Sequence, residues 1–282
     1  MFSSFSRPGY SAPKPAHISA ETCTISEMPA RIAGENTVRV LSWNVQQIPA
    51  IATQEYPEGR EHCQKQIFEH FNITMMQEAF LNTGPLRENA QWSWRPVFAP
   101  GRKLLGYINE NFRSPGLMVR ADRDVAAIEA RPFGNCAGLF NHKNDCLAQK
   151  GFQIFKLGDI TFVNMHMDAG RAPEDRKARA RQLDILFAAL PVEGPLVFAG
   201  DININDQRPQ EHARFLEEAQ KAGLTIIEHN KNDVIAVRGV NVVNSGVLEF
   251  DRYSDHRALW VDLVLPASQP AFPATRIAAN IP

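Results

Sequence analysis

Leu196-Val197-Phe198-Ala199-Gly200-Asp201-Ile202-Asn203-Ile204-Asn205 joins an apolar run to a polar end. Four apolar residues in a row are the pattern of a short strand buried on both faces. Gly200 breaks the run, and Asp201 follows at its carboxyl end. If the chain stays extended, Asp201 and Asn203 point the same way, because side chains alternate along a strand. A carboxylate and a carboxamide at the end of a buried strand make a polar site on a rigid base. Taken alone, Asp201 serves equally well as a turn cap before the next helix. Other stretches of the chain decide between the two.

Just upstream, residues 150–157 and 160–166 flank Gly158-Asp159, a hairpin signal. A helix follows, opened by Pro173-Glu174-Asp175, with Leu183, Leu186, Phe187 and Leu190 as its buried stripe. Downstream, residues 211–222 read as a second helix with Phe215, Leu216 and Ala219 facing inward. Residues 234–237, 241–250 and 258–265 are strands. Toward the N-terminus, residues 38–45 (Val-Arg-Val-Leu-Ser-Trp-Asn-Val) alternate as a strand. Cys63, Ile67 and Phe71 mark a short helix over 62–71, and the apolar strand 73–76 runs into Gln77-Glu78. Residues 92–98, 116–120 and 125–133 are further strands. Many strands with helices between only some of them predict an α/β (α+β) fold: two sheets covered by helices, joined by hairpins as well as crossovers.

The sequence has 282 residues, 44% hydrophobic and 22% charged, enough for a sizeable core in one domain. Thirty basic residues against 31 acidic ones leave a formal charge of -1, which excludes bulk attraction to nucleic acid but not a local basic patch. Residues 1–35, rich in Ser, Pro and Ala, read as a mobile leader, and 268–282 as a Pro/Ala-rich tail. The domain spans 36–267. No apolar run reaches membrane-span length, and the secretory charged-then-apolar pattern is absent. The expected location is the cytoplasm, or outside the cell by a route needing no signal peptide. Cys136 and Cys146 would close a loop in an oxidising compartment and stay free thiols in the cytosol.

Polar residues gather at strand ends. Asn44 lies near the end of the first strand, Glu78 just past the second, and His166 and Asp168 after the hairpin. Asp201 and Asn203 follow the opening stretch, Asp233 precedes a strand, and Asp255-His256 precedes the last. Individually each has an ordinary structural use: turn residue, surface carboxylate, core histidine. Together, oxygen ligands and imidazoles are what a hard cation and a phosphate ester require. Mg2+ takes one or two carboxylates and fills its other positions with water and substrate oxygens, and histidine moves protons or donates to developing negative charge.

Trp43-Asn44, Gln77-Glu78, Asn164-Met165-His166, Gly200-Asp201-Ile202-Asn203, Asn232-Asp233-Val234-Ile235 and Ser254-Asp255-His256 occur in the order found in the endonuclease/exonuclease/phosphatase superfamily, which the chain resembles from about Val38 to Leu265. The resemblance implies the DNase I-like four-layer sandwich, with the site at one edge. Within it the chain looks most like the neutral sphingomyelinase-like branch, through Asp145-Cys146-Leu147-Ala148-Gln149-Lys150-Gly151-Phe152, then His166-Met167-Asp168-Ala169-Gly170, Arg179 and Gln182-Leu183. It lacks the Pro-Ala-Trp-Cys-Asp-Arg signature of inositol-polyphosphate 5-phosphatases, and between Asp233 and Asp255 it lacks the tryptophan hairpin of secreted sphingomyelinases.

The resemblance implies a role for each residue. Glu78, with Asn44 beside it, would hold Mg2+, with Mn2+ a possible substitute. Asp201 would orient or deprotonate the attacking water, and Asn203 would donate to a non-bridging oxygen. His256 would stabilise the pentavalent phosphorus or protonate the leaving oxygen, kept cationic by Asp233. His166 would be a second donor. Asp255 is either a metal or water ligand or an acid–base partner, and Lys150 either adds positive charge or is an ordinary surface lysine.

The leading expectation is a Mg2+-dependent phosphodiesterase of a phospholipid head group, with peripheral membrane contact. A nuclease is the alternative, its basic patch in the 101–113 loop with Arg102, Lys103, Tyr107 and Arg113. A catalytically silent binding module of the same fold is the third. Trp92 and Trp94 share a strand face, fit either for a membrane or for burial between sheets.

Overall fold

The computed structural model describes residues 23, 28–30, 36–47, 59–80, 93–96, 116–123, 125–137 and 150–265; for 93–96 and 127–128 it describes the backbone alone. The 101–113 loop, Trp92, residues 145–149, the tail and most of the leader lie outside the described residues, as does the side chain of Trp94.

The elements run β1 (Thr37–Gln47), α1 (Arg60–Phe68), β2 (Ile73–Ala79), β3 (Ser93–Pro96), β4 (Met118–Ala121), β5 (Ala126–Pro132), β6 (Gly151–Leu157) and β7 (Ile160–His166). They continue with α2 (Pro173–Ala189), β8 (Leu196–Asp201), α3 (Pro209–Lys221), β9 (Thr225–Asn230), β10 (Asp233–Arg238), β11 (Asn241–Leu248) and β12 (Ala258–Val264). Two six-stranded sheets result, ordered β11-β12-β1-β2-β4-β3 and β5-β6-β7-β8-β10-β9. Each has one parallel pair at its middle, β1/β2 and β7/β8, and the crossovers between these partners carry α1 and α2. A parallel pair needs such a crossover, whereas hairpins suffice elsewhere. Gly158 makes the predicted turn between β6 and β7 at φ 57°.

Strand alternation sorts the apolar residues into layers. Val38, Val40, Ile73, Met75, Phe155, Phe162, Val197, Ala199, Ile235 and Val261 pack between the sheets. Phe155 and Phe162 stack there with centroids 5.1 Å apart, each burial contributing about 2 kcal/mol. Intervening residues face the helices: Leu183, Leu186 and Phe215 meet Val163, Phe198 and Ala236 on one side, and Ile67 and Phe68 meet Leu41 and Trp43 on the other. This is the expected four-layer sandwich. Three readings change. Leu216, expected to face inward, is 41% exposed because only Phe215 and Ala219 of α3 fall on the buried stripe. α1 ends at Phe68, and Phe71 is buried beyond it. β9 is an additional edge strand whose half-buried residues show no alternation to betray it.

Cys23 is disulfide-bonded to Cys63 of α1, with Cα atoms 5.3 Å apart, and Cys136 is also disulfide-bonded. The free-thiol alternative therefore does not hold for the described cysteines. The Cys23–Cys63 pair spans 40 residues and meets only in the fold, so spacing did not reveal it. Nearby, Arg39 donates to the carbonyls of Pro29 and Ala30 and forms a buried pair with Asp262 at 2.7 Å. No helix among the described residues is long and apolar enough to cross a membrane.

Candidate active site

Register brings the polar strand ends together. His166 on β7 lies opposite Asp201 on β8, and Asp201 lies opposite Asp233 on β10, so the three form one row across the sheet. By alternation they share the inter-sheet face with Phe162, Ala199 and Ile235. Across the gap, Asn44 of β1 extends the face of Val38 and Val40, and it pairs with Gln77 of β2. Alternation would send the next residue, Glu78, to the helix-covered side with Met76. Its φ of 55° breaks the alternation, and its carboxylate comes 3.7 Å from His166 Nε2 and 3.8 Å from Lys150 Nζ. Below, Gln77 Nε2 donates to Asn164 Oδ1 at 2.8 Å and Asn164 Nδ2 donates to Gln153 Oε1 at 3.0 Å, a carboxamide floor joining the sheets.

Both carboxylate oxygens of Asp201 are engaged. Oδ1 accepts the backbone N–H of Asn203 at 2.9 Å, which turns the chain, and Oδ2 accepts Asn44 Nδ2 at 3.1 Å. The strand stops at Asp201, and Asn203 adopts φ 52°. It is this turn, not an extended backbone, that sets the place of Asn203. Its Nδ2 donates to the Met167 carbonyl at 2.9 Å.

The two histidines are held differently. His256 Nδ1 is 2.7 Å from Asp233 Oδ2, and Nε2 is 3.8 Å from Asp201 Oδ2 and 3.9 Å from Asp255 Oδ1. Burial opposes its charge, but Asp233 and Asp201 outweigh burial and raise the pKa well above the ordinary imidazole value. Its backbone is fixed from both sides, N–H to Ser254 Oγ and carbonyl from Trp43 Nε1. His166 is buried with Lys150 Nζ 2.8 Å from Nε2, so that nitrogen accepts from the ammonium. Burial and then the positive Lys150 and His256 hold its pKa well below the ordinary value. Lys150 is itself 5% exposed, which removes the surface-lysine reading.

Burial also raises the carboxyls, chiefly against Lys150 for Glu78 and against His256 for Asp233. Asp201 rises to about 6 through burial, countered first by His256. Asp255 sits at the rim, its side chain 55% exposed. Asp168 is not brought to the cluster. It accepts from Ala137 N at 2.9 Å and Gln182 Nε2 at 2.8 Å, tying the 135–137 segment to α2. Sequence reading gave no role to Arg208, which donates to the Asn203 carbonyl, nor to Asn232, quoted only within its motif, whose carboxamide accepts from Asn205 at 2.7 Å. Arg208 stands in the loop before α3, away from any strand end, and the side chain of Asn232 meets Asn205 only through the fold.

The acidic excess suits a divalent cation. Glu78, Asp201, Asp233 and Asp255 surround one lysine and two histidines, and among the described residues the Glu78 carboxylate accepts no hydrogen bond. Asp201, Asp233 and His256 also offer ligand atoms within 4.8 Å of one another. His256 is already paired through Nδ1, and Mg2+ prefers oxygen, so Glu78 with Asn44 fits a hard cation better.

No family model matches the sequence, and no curated protein matches it. Solved structures do. An endonuclease/exonuclease/phosphatase from Bacteroides vulgatus aligns with TM-score 0.60 at 17% identity, covering 82% of this chain and 100% of that one. Beta toxin from Staphylococcus aureus, a variant solved with bound magnesium ions, aligns at 0.55 and 12%, covering 79% and 98%. TDP2 from Caenorhabditis elegans aligns at 0.53 and 15%, covering 81% and 74%. Two sheets with parallel centres, helices outside and polar strand ends gathered at one edge are the fold of the endonuclease/exonuclease/phosphatase proteins, and this chain has that DNase I-like fold.

Proposed function

We propose that the protein is a divalent-cation-dependent phosphodiesterase that hydrolyses a phosphate ester by in-line attack of water. The observation that carries this reading is the pair of histidines set about one carboxylate oxygen of buried Asp201, His166 against Lys150 and His256 against Asp233. Asp201, with a pKa near 6 and both oxygens held by donors, orients water and takes its proton. His256, cationic against Asp233, donates from Nε2 to a phosphoryl or leaving oxygen. Lys150, resting on neutral His166, adds positive charge to the same phosphate. Glu78 and Asn44 would hold the cation, which when bound polarises the phosphoryl oxygens and offsets developing charge. Mg2+ is the proposed ion, as in the beta toxin neighbour.

The sphingomyelin-type head group is the first substrate reading, supported by the sequence resemblance around Lys150-Gly151-Phe152 and His166–Gly170. A nucleic-acid backbone is the second, favoured by the exposed Arg171 and the half-buried Arg208 on loops beside Asn203. The test is a hydrolysis panel of sphingomyelin, phosphatidylcholine, inositol phosphates and plasmid DNA, each with Mg2+, with chelator and after Mg2+ is restored. Turnover lost on chelation and regained with Mg2+ supports the reading; inactivity throughout leaves only a binding module. Glu78→Gln should weaken metal affinity with the fold intact.

A further inference from the structure

Two loops rim the site, residues 167–172 after β7 and 202–208 after β8. Arg179 of α2 fastens the first from inside. Its Nη1 donates to the carbonyls of Asp168, Ala169 and Gly170 at 3.0, 3.1 and 3.0 Å, and its Nε and Nη2 pair with Glu211 at 2.8 and 3.1 Å. That leaves the Glu211 carboxylate committed. Arg171 and Arg208 stand on the same rim without such a partner. Arg171 Nη2 donates to Gln207 Oε1 at 3.2 Å, linking the two loops, and Arg208 Nη1 donates to the Asn203 carbonyl. Among the described residues neither forms an ion pair, and each keeps guanidinium N–H groups that no protein acceptor receives.

For an exposed arginine that would be ordinary solvation. Arg208 is only partly exposed, and its nearest charges include like ones. Burial, then Arg179, depresses its pKa, with Arg171 acting in the same direction, while Glu211 and Asp201 oppose the shift. Arg208 thus sits half-buried between the like charges of Arg179 and Arg171, only partly offset by Glu211 and Asp201, a place that an incoming anion would relieve. A guanidinium fork matches phosphate oxygens in geometry as well as charge.

We propose that Arg171 and Arg208 form a subsite for a second phosphate group, adjoining the phosphate held at Asp201, Lys150 and His256. This rests on the phosphodiesterase reading and sharpens it: the preferred substrate carries another phosphate beside the scissile ester. A single phosphocholine head group leaves the subsite unfilled. The second phosphate belongs either to the substrate itself or to a neighbouring anionic lipid.

The probes are thymidine 5′-(4-nitrophenyl phosphate) with and without a 3′-phosphate, which share one scissile bond. The native protein should favour the 3′-phosphorylated compound by about tenfold in kcat/KM, as expected for charge-assisted hydrogen bonds. The preference should collapse toward one in Arg171→Ala, which severs a single surface contact, and in Arg208→Gln. Arg208→Lys should restore part of it. Calorimetric titration of thymidine 3′,5′-bisphosphate against thymidine 5′-phosphate supplies a readout without turnover. A third arm adds phosphatidic acid to sphingomyelin vesicles. Stimulation that needs both arginines, with no nucleotide preference, assigns the second phosphate to the lipid. Hydrolysis of both nucleotides without preference, with equal binding and no vesicle effect, overturns the subsite and leaves the phosphodiesterase reading intact. Tighter, arginine-dependent binding of the bisphosphate with no hydrolysis of any ester keeps the subsite and overturns the phosphodiesterase.

Discussion

His166 and His256 approach the same carboxylate oxygen of Asp201, at 3.4 and 3.8 Å, from opposite surroundings. His166 rises from a strand end within one sheet, against an ammonium. His256 hangs from the loop before β12, against a second carboxylate. Burial pushes both toward neutrality; only His256 has negative neighbours enough to resist. The partner, not the depth, sets the protonation state. One edge of the sandwich thus holds two imidazoles pushed in opposite directions about one carboxylate oxygen.

The strongest way to break that contrast is to remove its centre. Asp201→Asn and His256→Gln should each lower kcat/KM by about 10²–10⁴-fold, the range for a positioned acid or base. The double variant should fall by less than the product, because groups acting as one unit are non-additive. Asp201→Asn relieves repulsion from Asp233 and Glu78 but sets an NH2 against one of the two donors, Asn44 Nδ2 or Asn203 N–H, so its melting temperature should fall only slightly. Melting far below the parent would make Asp201 a turn residue alone.

Asp233→Asn sharpens the contrast by leaving the imidazole while removing its charge. The pKa of His256, followed by NMR, should fall, and turnover should drop about tenfold, chiefly at alkaline pH. An unchanged pKa would transfer the role to Asp201.

On the other side, Lys150→Met removes the ammonium that helps to keep His166 neutral. The His166 pKa should rise, though burial still holds it below the ordinary value. A rate loss smaller than that of Asp233→Asn is expected, with imidazole NMR as the check.

The last effect is on stability rather than on rate. Asp201 titrates at 3.8 unfolded and about 6 folded, so the folded state retains a proton that the unfolded chain has released. Stability of metal-free protein is then greatest below that window and declines as pH rises through it, by up to ~1.4 kcal/mol per pH unit for one group. Chemical denaturation across pH should show the slope, and Asp201→Asn should flatten it.

Much of this was legible in the sequence. The run before Asp201, the Gly158-Asp159 turn and the Pro173 helix start each carry their own local signal, and the strand-end rule placed Asn44, Glu78, His166, Asp201, Asp233 and His256. What escaped depends on partners distant in sequence. Asp168 carries the same residue type at the same kind of position, but its ligands, Ala137 and Gln182, make it a structural tie. Lys150 was ambiguous until its burial against His166 was seen. β9 has no periodicity because, at the sheet edge, its residues are half-buried on both faces.

The Cys23–Cys63 bond closes a covalent ring, and β1 lies wholly inside it. β1 sits at the middle of its sheet and carries Asn44, whose amide steadies Asp201. A strand that opens locally drifts off with whatever it carries. Here the strand is looped rather than loose-ended: to peel away it must drag a closed circle whose other side is anchored through α1. In chain-entropy terms a ring of this size is worth about 4 kcal/mol. A mild reductant should therefore loosen the hold of Asn44 on Asp201 before the protein melts, read as a fall in turnover at temperatures where the fold is intact.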